Sequence, residues 1–191
     1  MIILDFGSGN TCKNDLNYVE KMIDELVKVD TGKHEVVIKW QLFKDAPPNT
    51  PLDPKVFEFA YNCAEIYGYR TTASVFDEKS LEYLMLFDVP FVKIANRPDL
   101  YYLAGKAAGF GVPALVSGRD LFCVSEYPAT VEQYEKLGLF PKCKISDHTT
   151  DFMLYNKYKP SVYECHYKLD DSTGLDAGPF ARTPEQLKEI L

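Results

Sequence analysis

No two cysteines stand at the Cys-x-x-Cys spacing of a zinc knuckle or redox motif. The five present (Cys12, Cys63, Cys123, Cys143 and Cys165) are odd in number and scattered along the chain. That pattern argues against a disulfide framework and for reduced thiols in a cytosolic setting. There is no apolar run of about 20 residues to span a bilayer. The first residues lack the charged and apolar regions of a secretory signal, so a cytoplasmic protein without membrane contact is expected. No Lys/Arg cluster occurs, and 21 Lys plus Arg stand against 28 Asp plus Glu, a net charge of -7. A basic patch or stripe is the usual footprint of a nucleic-acid binder, so nucleic acid is not an expected partner. Repeats, low-complexity tracts and long linkers are also missing. What remains is an ordinary globular composition, 46% hydrophobic and 26% charged over 191 residues, which fits one domain spanning 1–191.

Strand-like and helix-like runs alternate from end to end. Ile2 to Phe6 reads as a buried strand closed by Gly7-Ser8-Gly9, and Leu16, Val19, Ile23, Leu26 and Val27 lie at the spacing of one helix face. Val36 to Gln41 is a second strand, followed by a Pro47-Pro48 loop. Val56, Phe59, Ala60, Cys63 and Ile66 form another helical stripe, with Pro54 near its start. Further strands are expected at Arg70 to Phe76, Phe91 to Ala95, Ala114 to Ser117, Leu121 to Val124, Cys143 to Ser146 and Val162 to His166. Helices are expected at Glu78 to Phe87, Pro98 to Ala108 and Thr130 to Leu139, and Thr183-Pro184 opens a last one. Eight strands alternating with helices predict a parallel α/β fold, a compact (β/α)8 TIM-type barrel well below the usual size of about 250 residues. One junction breaks the rule. Only Gly118-Arg119-Asp120 separates the fifth and sixth strands, whereas parallel neighbours need a crossover of about a dozen residues. Either a tight hairpin or the loss of one strand is expected, leaving the barrel irregular or incomplete there.

Polar residues gather late in these strands, where barrel enzymes place their chemistry. Residues two apart share a strand face, so Lys39 pairs with Gln41, Ser146 with His148, and Glu164 with His166, while Trp40 and Cys165 face outward. Lys93 sits in an otherwise apolar strand with Asn96 just past its end, and Ser74 and Ser117 end two more. A single lysine near a strand end is more often snorkelling or ion-paired than catalytic, and His34, in a loop, reads as structural. Two lysines, two histidines and a glutamate turned inward together are costly to bury unless they pair or hold a ligand.

These residues, in this order, resemble the N-acetylneuraminate (sialic acid) synthase family. Lys39-Trp40-Gln41 is similar to its Lys-Phe-Gln, Ser74 to Asp77 to its Ser-Thr-Pro-Phe-Asp, and Lys93 to Asn96 to its Lys-Ile-Ala-Ser. Pro113 to Gly118 resembles Pro-Val-Ile-Leu-Ser-Thr-Gly, and Cys123 to Pro128 a segment ending in Tyr-Pro-Thr. Ser146-Asp147-His148-Thr149 is identical to the family's motif; Glu164 to Tyr167 resembles Glu-Lys-His-Phe and Gly174 to Asp176 Gly-Pro-Asp. The resemblance implies metal-dependent condensation of phosphoenolpyruvate with an N-acylmannosamine-type aldose. It implies a divalent metal, Mn²⁺ first with Mg²⁺ or Co²⁺ as alternatives, held by His148 and His166. It further implies substrate contacts from Lys39, Ser74, Lys93, Asn96, Ser117, Ser125, Ser146 and Asp176, and catalytic roles for Glu164, Lys93 and Gln41. Glu164 would orient or deprotonate a water or hydroxyl. A homodimer is a further expectation.

The chain departs from the pattern in places. Asp5 stands where the family has glutamate, Asn96 where it has serine, and the helix between strands five and six is missing. The small C-terminal antifreeze-like domain of full-length members is not in this sequence. These departures keep alternatives open: a degenerate barrel binding an anionic metabolite, a subunit completed by a separate domain, or a related enzyme using another aldehyde.

Overall fold

The computed structural model describes residues 1–42 and 49–191. The expected Pro47-Pro48 loop lies outside the described residues. Eight parallel strands form one sheet: β1 (Ile2–Asp5), β2 (Val36–Gln41), β3 (Arg70–Ser74), β4 (Val92–Ile94), β5 (Ala114–Val116), β6 (Phe122–Cys123), β7 (Lys144–Asp147) and β8 (Val162–His166). Their spatial order is β5-β4-β3-β2-β1-β8-β7-β6. The two ends meet at a parallel bridge between Ser117 and Leu121, so the sheet curls round on itself. The fold is α/β and barrel-like. Among the described residues no helix is long and apolar enough to cross a membrane.

Helices α1 (Leu16–Val29), α2 (Pro54–Ile66), α3 (Glu78–Leu84), α4 (Tyr102–Gly109), α5 (Val131–Glu135), α6 (Met153–Tyr158) and α7 (Pro184–Leu187) follow the strands. Local chemistry sets their starts. The Asp15, Asp53 and Asp77 side chains accept from first-turn amides, and Thr130 and Thr183 form capping boxes with Gln133 and Gln186. The expected helix from Pro98 to Ala108 is split into a 3₁₀ turn at Pro98–Leu100 and α4, and α5 is shorter than its sequence pattern. Helix α6 has no counterpart in the expectations.

The crossover rule fails between β5 and β6 for a geometric reason. Residues 117–121 make a tight turn with Gly118 at φ +80°, in which Asp120 N donates to Val116 O at 2.8 Å and Val116 N donates to Asp120 Oδ2 at 2.8 Å. The chain therefore steps sideways into the next position without reversing, and β6 begins level with the end of β5. Neither expected outcome, hairpin or lost strand, holds: β6 pairs in parallel with β7 at Phe122↔Ile145 and Cys123↔Ser146.

Outward-facing strand residues, Leu4, Ile38, Trp40, Ala73, Ile94, Ile145 and Cys165 among them, join the helices in the main core. The barrel interior divides along its axis. Its lower part is a small apolar cluster of Ile3, Val37, Phe91, Leu121 and Val162. Its upper part is polar, and there the site lies.

Candidate active site

Strand alternation carries the polar set upward and inward. Ile3 is followed on its face by Asp5, Val37 by Lys39 and Gln41, Thr72 by Ser74, Phe91 by Lys93, Leu121 by Cys123, and Val162 by Glu164 and His166. Ten side chains expected from the sequence line one cavity of about 380 Å³: Lys39, Gln41, Ser74, Lys93, Asn96, Ser117, Ser146, His148, Glu164 and His166. Asp176 lines it too, from the loop after β8. Ser125 does not. It is exposed at the rim, where its hydroxyl meets the Asn96 amide at 3.1 Å.

The lysines are not free cations. Lys39 Nζ donates to Asp5 Oδ2 at 2.5 Å and to Ser74 Oγ at 3.0 Å, and lies 3.7 Å from Glu164 Oε1. Lys93 Nζ donates to Ser117 Oγ at 2.6 Å and lies 3.4 Å from the same Glu164 oxygen. Ser146 Oγ donates to that oxygen as well, at 3.0 Å. Burial works against the charge on Asp5, but Lys39 and His166 outweigh it and hold the carboxyl below the ordinary range. Glu164 is likewise lowered against its burial by Lys39 and Lys93, while Lys39 is raised against burial by Asp5 and Glu164. Gln41 spends its amide hydrogens on Asp5 Oδ2 at 3.0 Å and Asp176 Oδ1 at 2.9 Å, tying the first strand to the last loop. Gly7, at φ +77°, lets the backbone turn so that its N–H reaches Asp5 Oδ1 at 2.9 Å; a Cβ there would collide with Thr11 and Asp176.

The histidines share the other side of the mouth, their ring centroids 5.5 Å apart. His148 Nδ1 lies 2.6 Å from the Val124 carbonyl, which only accepts, so the proton sits on Nδ1 and Nε2 carries a lone pair. Burial first, then the neighbouring His166, pushes the His148 pKa down to about 3, leaving the ring neutral near pH 7. His166 Nδ1 is buried without a hydrogen-bond partner. Among the described residues no three His, Cys, Asp or Glu side chains converge to hold an ion on their own. The arrangement suits an ion held by two imidazoles, with the other positions left to water or substrate. Tyr127 and Phe180 cover this side, Tyr127 stacking on His148 at 4.2 Å between centroids.

Several contributors were not singled out from sequence. Cys123 shares a strand face with Leu121, so alternation from that residue was the available signal. Tyr127 sits within the segment ending in Tyr-Pro. Phe180 and Tyr134 gave no local signal. Tyr134 on α5 is wholly buried, donates its hydroxyl proton to Ser146 O at 2.5 Å and accepts from His148 N at 3.1 Å. It thereby fixes the strand end that carries both residues. Tyr134→Phe leaves those two backbone groups unpaired and is expected to cost about 1–3 kcal/mol in urea unfolding. An unchanged transition would show that the hydroxyl contributes nothing. His34 is structural, its Nε2 3.1 Å from the Tyr155 hydroxyl.

No protein-family model matches the sequence, nor does any curated protein. Solved structures do. The N-acetylneuraminic acid (sialic acid) synthetase of Leptospira borgpetersenii serovar Hardjo-bovis, solved with citrate, superposes with TM-score 0.75 at 23% identity over 98% of this chain and 80% of that one. The fold is that of a sialic acid synthase-like barrel. A Chromobacterium violaceum protein assigned to spore coat polysaccharide biosynthesis gives TM-score 0.66 at 16% identity, covering 98% and 71%. A truncated 3-deoxy-D-arabino-heptulosonate 7-phosphate synthase from Thermotoga maritima gives 0.64 at 14%, covering 99% and 83%. The short connection between β5 and β6 leaves the eight-strand order of this sheet complete.

Proposed function

We propose that this synthase-like barrel condenses phosphoenolpyruvate with an N-acylmannosamine-type aldose, giving a sialic-acid-like nonulosonate and inorganic phosphate. The observation that carries the reading is one cavity lined by Lys39, Lys93, Ser74, Ser117 and Ser146 beside the His148–His166 pair. The lysines and serines receive the phosphate and carboxylate, with Lys93 positioned by Ser117. C3 of phosphoenolpyruvate forms a bond to the aldehyde carbon, water adds at C2, and phosphate leaves. His148 and His166 would hold a divalent cation, Mn²⁺ foremost, which would supply Lewis-acid polarisation of the aldehyde carbonyl. Glu164 presents Oε2, which is buried without a partner, to the incoming water or a sugar hydroxyl. Because the two lysines lower its basicity, orienting that water suits it better than deprotonating it. In this reading Gln41 and Asp176, hydrogen-bonded to each other at 2.9 Å, would lie around the sugar and the metal, with Asn96 and Ser125 at the rim.

The expected result is phosphate release from phosphoenolpyruvate that requires both an N-acylmannosamine and Mn²⁺, followed by a colorimetric phosphate assay. Phosphate release that never depends on the aldose would overturn the condensation. One observation favours a second reading, a non-catalytic anion-binding barrel: both lysines are already engaged by Asp5, Glu164 and serines. Phosphoenolpyruvate binding without turnover against any aldose would support it.

A further inference from the structure

Of the four arginines only Arg182 is buried, at 1% exposed, and it does not line the cavity. Its Nη2 lies 4.0 Å from Asp147 Oδ2, a wholly buried carboxylate that also accepts from the Tyr163 hydroxyl at 2.6 Å and from Thr149 N at 2.7 Å. A buried ion pair is a weak source of stability, and apolar residues of similar volume often do as well. The reason for this one lies in what the arginine holds. Nη1 donates to Phe180 O at 2.8 Å and Nη2 to Asp151 O at 2.5 Å, while the Arg182 backbone N–H donates to His166 O at 2.7 Å. His148 lies between Asp147 and Asp151. The guanidinium therefore meets both ends of the turn that carries one histidine, and the backbone meets the residue that is the other. Phe180, 2% exposed, sets its ring 4.9 Å from His166 and 6.2 Å from His148 between centroids. A Cβ on Gly178 would come within 2.5 Å of that ring, so the glycine leaves room for it.

We propose that Arg182 is a positioning residue: from outside the cavity it fixes the separation and tilt of the His148 and His166 rings by tying the end of β7, the end of β8 and the Phe180 loop to one guanidinium. The planar fork gives those bonds fixed directions, which an ammonium on a flexible stem does not. Its stacking over the Phe152 ring, 4.9 Å from the centroid, holds the fork in place. The effect on ring geometry stands on these contacts alone. The effect on turnover rests on the reading of the cavity as a condensing site.

Arg182→Lys tests this, because it keeps a positive charge beside Asp147 and removes the fork. The chain has three histidines, so its imidazole resonances in nuclear magnetic resonance are few, and His34, bonded to Tyr155 outside the cavity, is an internal reference. Without added metal, the His148 and His166 signals should move from their wild-type positions while that of His34 stays. In the phosphate-release assay kcat should fall by about tenfold or more with KM for phosphoenolpyruvate within about twofold, as expected when groups are misplaced and binding is kept. Wild-type His148 and His166 signals in the folded variant overturn the proposal, whatever its stability. Moved signals together with no turnover by the wild type on any aldose overturn the condensation and leave the positioning in place. Should Arg182→Lys not fold, Arg182→Met combined with Asp147→Asn removes both charges at once and is read by the same signals: moved His148 and His166 resonances support the proposal and unmoved ones end it.

Discussion

Lys39→Met should destabilise the protein by about 3–5 kcal/mol, the scale for removing one partner of a buried ion pair. Lys39 is 2% exposed and is the nearest cation to Asp5, which is 1% exposed, and a second cation to Glu164. Methionine fills much of the same volume, so the loss is chiefly electrostatic: a buried carboxylate left with a glutamine amide, a backbone N–H and a histidine at 3.6 Å. Urea unfolding at pH 7 measures it.

The pH dependence separates this account from simple mispacking. In the wild type, Asp5 is held below its ordinary pKa, so its contribution is present above the unfolded value of about 3.9 and is lost as pH falls through the lower folded value. Without Lys39, burial raises the folded pKa, and the ionised form becomes a penalty above that same unfolded value. The gap between wild type and Lys39→Met should therefore be widest near pH 7 and narrow towards pH 4. A gap constant across that range would mean that lost packing, not the orphaned carboxylate, explains the variant.

Much of the site was legible because a strand has a period of two and its other face is fixed by the core. Trp40 and Cys165 are wholly buried against the helices, and that forces Lys39, Gln41, Glu164 and His166 into the barrel. The same logic placed Ser146 with His148. The partners were not legible. Asp5 and Lys39 are 34 residues apart and meet only because β1 and β2 pair with Asp5 opposite Lys39. Local pattern carries no register between strands, so two lysines that look like free anion ligands in sequence are already paired in the fold. The step between β5 and β6 was misjudged for a similar reason. The crossover rule assumes a strand that returns to the bottom of the sheet, and β6, two residues long, never goes back. Helix α6 was missed because six residues with one buried position, Leu154, show no periodic stripe. Arg182 was invisible too. It is 1% exposed and donates to the carbonyls of Phe180 and Asp151, fastening the loop that places Phe180 over the histidines.

His148→Ala should lower Mn²⁺ affinity by more than about 100-fold, beyond what changes to groups merely supporting a metal ligand usually cost, and should remove condensation activity. The case rests on the tautomer. With its Nδ1 proton committed to Val124 O at 2.6 Å, the ring can serve an ion only through Nε2, and its neutral state near pH 7 leaves that lone pair available without a proton to displace. His166, 5.5 Å away between ring centroids, offers the second nitrogen donor. The fold should survive the change. The lost hydrogen bond is one to a backbone carbonyl, worth about 1–3 kcal/mol if left unsatisfied. The strand end is still held by Tyr134 through the His148 backbone N–H. Mn²⁺ titration followed by electron paramagnetic resonance reads the affinity directly, and circular dichroism checks the fold. If His148 serves only to hydrogen-bond within the barrel, the variant loses stability and keeps wild-type Mn²⁺ affinity. That outcome would remove the metal from this pair of histidines and leave the anion-binding barrel as the better account of the cavity.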